Sequence, residues 1–104
     1  MVTFDIECQV TFGGAVPTEQ QVAFKRSVGG HSGWYGPTPI VTWTGSSEAL
    51  ILLVAKSEAV DDATSDALCQ QASDQVRVWV ADAGLSGDSS ADALSVRCLA
   101  KPRI

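Results

Sequence analysis

Residues 2–12, VTFDIECQVTF, alternate without a break. Val2, Phe4, Ile6, Cys8, Val10 and Phe12 are apolar, and Thr3, Asp5, Glu7, Gln9 and Thr11 between them are polar. Successive side chains of a strand point to opposite faces. A strict period of two over this length therefore predicts a strand with one face on a core and the other wet or paired. Gly13 and Gly14 end the alternation.

The rest of the chain punctuates itself. In VPTEQQVAFKRSVGG, Pro17 suits a first helical turn and Thr18 with Gln21 resembles a capping box. Lys25 and Arg26 favour a helix C-terminus, and Gly29-Gly30 can close the helix in a left-handed cap. Its apolar residues are few: Val22, Phe24 and Val28. PIVTWT at 39–44 and EALILLVAK at 48–56 predict two strands that pair as a hairpin across Gly45-Ser46-Ser47. A long helix follows, opening with Ser57 and an acidic first turn and closing at Gly84. Leu68, Cys69, Ala72, Val76, Trp79, Val80 and Ala83 fall at steps of three and four, forming one apolar stripe. From about Asp61 to Ala83 it would run roughly 35 Å. After the polar loop at 86–92, residues 93–100 alternate again, with Leu94, Val96 and Cys98 on one face and Ser95 and Arg97 on the other.

The order strand, helix, strand, strand, helix, strand resembles the ferredoxin-like βαββαβ sandwich over the whole chain, residues 1–104 as a single α+β domain. The chain is also similar to small Ala/Val/Asp-rich bacterial proteins of this plan that have no assigned function. The resemblance implies an antiparallel sheet of order 4-1-3-2 with two helices on one face. The first and last strands would then be neighbours. Cys8 and Cys98 would both point toward the helices, with Cys69 on the helix stripe above them. The expected state is three reduced, buried thiols sharing a core, with a redox pair or thiol cluster as the alternative. On the opposite face, Asp5 or Glu7 could meet Arg97.

Composition narrows the functional classes. Hydrophobic residues make up 45%, which excludes disorder by composition. A net charge of −5 disfavours nucleic acid and anionic membranes as partners. Six acids between Glu58 and Asp82 face only Arg77, as expected of a solvated helix face, with a docking surface for a basic partner as the alternative. The longest apolar run, ALILLVA at 49–55, is far short of the roughly 18 residues of a membrane span. The N-terminal residues carry carboxylates where a signal peptide carries positive charge, so a cytoplasmic location is expected. One His and three scattered Cys do not make a structural zinc site, and neither metal nor cofactor is expected.

Two places could carry function. The first is the face of the sheet left open by the helices. The strand at 48–56 is apolar on both faces, with Ala49, Ile51, Leu53 and Ala55 on one and Leu50, Leu52 and Val54 on the other. A large apolar patch usually marks an interface. A homodimer through this face is expected, with Val41, Trp43, Ile51 and Leu53 as its contacts. The second is GGHSGWYGPTP at 29–39, which holds the sole histidine and tyrosine. His31, Trp34 and Tyr35 are candidates for contact with a ligand or partner, or for covering the open sheet. Ser32 beside His31 lacks a GxSxG elbow, and no phosphate-binding glycine motif accompanies it. The expected function is a non-catalytic interaction or regulatory module that binds a protein or small ligand. The alternative is a small enzyme resembling the dimeric α+β-barrel group, which includes cofactor-independent monooxygenases, with a pocket near His31, Trp34, Tyr35 and Trp43.

Overall fold

The structure, a computed structural model, describes residues 2–29, 39–84 and 94–103. Its elements follow the predicted order: β1 (Val2–Thr11), α1 (Thr18–Gly29), β2 (Ile40–Trp43), β3 (Glu48–Ser57), α2 (Asp62–Asp82) and β4 (Ser95–Pro102). The strands form one sheet in the order β2-β3-β1-β4, all pairs antiparallel. This is the expected 4-1-3-2 order counted from the opposite edge.

β1 sits between β3 and β4, and its alternation decides which side of the sheet becomes core. Phe4, Ile6, Cys8 and Val10 are fully buried, while Asp5, Glu7, Gln9 and Thr11 are exposed. The register places Ile6 opposite Leu53 and Ala100, and Cys8 opposite Ile51 and Cys98. Paired residues share a face. The odd residues of β3 and the even residues of β4 therefore join the buried side of β1. Through Val41↔Ile51 and Trp43↔Ala49, so do Val41 and Trp43 of β2. Both helices cover that side: Phe24 and Val28 of α1 and Ala72, Val76, Trp79 and Val80 of α2 belong to the same core. Burying a side chain of this size stabilises the fold by about 1.5–3 kcal/mol.

The four residues expected at an open-face interface thus lie on the helix side. Val41, Ile51 and Leu53 are buried in the core. Trp43 stacks on Phe12 with ring centroids 5.5 Å apart and meets Phe24 edge-on at 6.0 Å. Phe12 and Phe24 complete the group at 6.2 Å and 88°. Such pairs add about 0.5–1.5 kcal/mol each beyond burial.

Helix ends follow local chemistry. The Gln21 N–H donates to Pro17 O at 3.0 Å, so Pro17 occupies the N-cap of α1. Proline has no N–H for a reciprocal capping box. The Gln21 side chain instead donates from Nε2 to Val16 O at 3.0 Å. At the start of α2 the cap is Asp61, whose Oδ1 accepts from Thr64 N–H at 2.8 Å. Ser57 is the last residue of β3 and does not open the helix. At the end of α1, Gly29 is still helical, and Gly30 lies outside the described residues. Gly84 stops α2 with φ of +76°, the left-handed conformation glycine adopts most readily. The β2–β3 turn is fastened to the connection between β1 and α1, because Ser47 O and Ser46 O accept from the Phe12 and Val16 N–H groups at 2.8 and 2.7 Å.

The cysteines correct an expectation. Cys8 and Cys98 are directly opposed on β1 and β4, with Cα atoms 4.0 Å apart, and form a disulfide. They are therefore not a pair of reduced thiols. Register brings them together: directly opposed residues on one face of an antiparallel pair hold their side chains next to one another. The bond closes a loop spanning 90 residues, for which the chain-entropy account gives about 4–5 kcal/mol of stabilisation. Cys69 on α2 remains free and half-buried.

A Cβ added at Gly84 would meet nothing within 4 Å, so only backbone strain opposes a side chain there. Gly84→Ala is expected to lower stability by about 1–2 kcal/mol, read as a shift in the urea midpoint at unchanged slope.

Candidate functional site

The face of the sheet away from the helices carries the polar side of β1, flanked by apolar side chains from three other strands. Register aligns Ile40 of β2, Leu52 of β3, Glu7 of β1 and Leu99 of β4 in one row across all four strands. The three apolar members keep 53%, 43% and 52% of their surface exposed. Leu50 and Val54 flank Leu52 on the same face and are half-buried. A concavity of about 350 Å³ lies over this row and reaches Asp5, Lys101 and Arg103. A second, of about 470 Å³, extends it over Gln9, Leu50 and Arg97. Glu7 and Leu99 line both, so the two form a continuous trough.

Charge on this face is nearly balanced. Asp5, Glu7 and Glu48 stand against Lys56, Arg97, Lys101 and Arg103, whereas α2 and its approach carry most of the net negative charge. The expected pairing of Asp5 or Glu7 with Arg97 does not form: Arg97 stands opposite Gln9, and Glu7 stands opposite Leu99. Arg103 takes Asp5 instead. Its Nε donates to Asp5 Oδ2 at 2.8 Å and its Nη2 to Oδ1 at 2.7 Å, while the Arg103 N–H donates to Thr3 O at 2.7 Å. The bidentate bond holds the Asp5 carboxyl below its usual value of 3.8 and raises the Arg103 guanidinium. Both side chains are exposed, so the pair fastens the end of the chain to β1 more than it stabilises the fold.

Leu99 and Arg103 escaped the sequence reading. Extending the alternation of Ser95 and Arg97 by one more step would have placed Leu99 on this face. Nothing local marks Arg103, because its partner is 98 residues away. His31, Trp34 and Tyr35 lie outside the described residues. Trp43 packs among Phe12 and Phe24 on the helix side, away from the open trough. Among the described residues no group of three or more His, Cys, Asp or Glu is placed to hold a metal ion. No described helix is long and apolar enough to cross a membrane.

No protein-family model matches the chain, and comparison with curated proteins and with solved structures gives no match.

The two depressed carboxyls make stability depend on acid. Hydrogen bonding by Thr64, through its side chain and its N–H, lowers Asp61 as Arg103 lowers Asp5. A carboxyl that titrates lower in the folded state stabilises it above the unfolded value of 3.8 and stops doing so as pH falls through the folded value. The Asp5→Asn, Asp61→Asn double variant should therefore be less stable than the parent at neutral pH. The gap should narrow as pH falls below 3.8 and close once both folded-state carboxyls are protonated, as read in urea titrations. A gap unchanged at low pH would mean that the carboxylate charges are not its source.

Proposed function

We propose that this protein is a non-catalytic interaction module that pairs with a second copy of itself through the open face of a ferredoxin-like sheet. The observation that carries this is the row Ile40, Leu52 and Leu99, three exposed large apolar side chains aligned across the sheet. The interface expected from the sequence is kept as a surface but is assigned these residues, because Val41, Ile51 and Leu53 are core.

A second copy is the occupant favoured by charge. At −5 overall, two copies repel unless they meet where charge is balanced. The acidic helix layer is the wrong side for that, and the open face is the right one. A two-fold interface also requires a surface complementary to itself. β3 and β1 are the two central strands of the sheet. A two-fold axis running between these strands, parallel to them, would set Ile40 of each copy over Leu99 of the other. It would set Leu52 over Glu7 and Leu50 over Gln9.

The pairing is modest in strength. Six half-exposed side chains across the pair contribute about 6 kcal/mol if each gains about half of a full burial. Nanomolar affinity needs about 12 kcal/mol. A dissociation constant of tens of micromolar is the corresponding expectation. The Cys8–Cys98 bond also favours an oxidising setting over the cytoplasm, since reducing compartments keep such pairs as thiols.

Sedimentation equilibrium at tens to hundreds of micromolar should give twice the 10.9 kDa chain mass. Leu52→Lys with Leu99→Lys should give the single mass with an unchanged circular dichroism spectrum. A parent chain that stays monomeric across that range would overturn the proposal.

A further inference from the structure

The three sulfurs are placed unequally around the disulfide. Cys8 is fully buried on the central strand, while Cys98 is half-buried on the edge strand β4. A cavity of about 350 Å³ opens between α2 and β4. Cys98 lines it and so does the free thiol Cys69, but Cys8 does not. The cavity is a shallow groove open to solvent, and Ser65, Asp66, Gln70 and Ser73 of α2 supply its polar lining. Its volume falls within the range of small-molecule sites.

From this geometry we propose that the cavity between α2 and β4 is a thiol–disulfide exchange site for small thiols, in which Cys98 is the sulfur attacked, Cys8 the leaving group and Cys69 the resolving thiol. Exchange proceeds by attack of a thiolate on one sulfur as the other departs, and the sulfur that can be reached is the one that reacts. An incoming thiol enters the cavity, loses its proton and bonds to Cys98 Sγ. The Cys8–Cys98 bond breaks, and its electron pair leaves on Cys8 Sγ, which takes up the proton. Cys69, lining the same cavity, then gives up its proton and attacks Cys98 Sγ. The small thiol leaves with that proton, and a Cys69–Cys98 bond remains. One disulfide is broken and one is made, so no external oxidant or reductant is consumed. The cross-link moves from within the sheet to between the sheet edge and α2. Asp66 in the lining favours a cationic thiol over an anionic one. Leu99 borders both this cavity and the open-face trough, but no step of the exchange uses it.

Cysteamine, a small cationic thiol, is the probe. The oxidised 104-residue chain is incubated with it under native conditions, quenched in acid, alkylated and mapped by mass spectrometry. The expected product is a Cys69–Cys98 linked peptide together with alkylated Cys8. In Cys69→Ser the linked peptide is lost and a cysteamine adduct builds up on Cys98. Adduct on Cys8 in either chain would overturn the proposal. So would a parent chain whose Cys8–Cys98 bond is cleaved with no Cys69–Cys98 peptide at any time point. An oxidised parent chain inert to cysteamine until urea is added would show the cavity closed to thiols and would equally overturn it.

Discussion

The fold depends on β1 being paired along both edges. With β3 on one side and β4 on the other, its ten residues set a common register for the sheet. Because side chains alternate, that register also sets a common inside. A slip of one residue would turn Phe4, Ile6, Cys8 and Val10 toward solvent and Asp5 and Glu7 toward Trp79. The cost of burying two carboxylates without partners makes that arrangement inaccessible. Everything else follows this choice: which side of β3 the helices cover, where the aromatic group of Phe12, Phe24 and Trp43 closes the core, and which sulfurs meet.

β3 shows how a partner strand resolves what a single strand leaves open. Its two faces are almost equally apolar, so composition offers no basis for choosing between Ile51 and Leu53 on one side and Leu50, Leu52 and Val54 on the other. Pairing with β1 decides it, since Ile6↔Leu53 and Cys8↔Ile51 bring the odd residues under the helices. The apolar open face foreseen from the sequence is present, and its members are the other set. Leu99 joins them from the far edge, and Glu7 sits between the two leucines as the one carboxylate in the row.

The cysteines illustrate a second kind of dependence. Their periodicity placed Cys8 and Cys98 on one face of neighbouring strands, but small buried hydrophobes and a disulfide share that pattern. The difference is whether the two residues are directly opposed or offset, a matter of a few ångströms set by how β4 returns to β1. The same return brings Arg103 to Asp5, where a bidentate bond and the Arg103–Thr3 backbone bond fasten the end of the sheet. Two long-range links thus secure β4 to β1, one on each face of the sheet.

Local chemistry alone determined the elements. Strict alternation can only be a strand, the stripe from Leu68 to Ala83 can only pack as a helix, and Gly84 ends that helix because its backbone must turn left-handed. Their order was enough to anticipate two helices over a four-stranded antiparallel sheet, because these periodicities and turns act over a few residues. The tertiary structure decided what depends on distant partners: the buried side of β3, the bonding of Cys8 to Cys98, the pairing of Asp5 with Arg103, and the row Ile40, Leu52 and Leu99 on the open face. Each of these is fixed by strand register, which arises only when strands from opposite ends of the chain hydrogen-bond to one another.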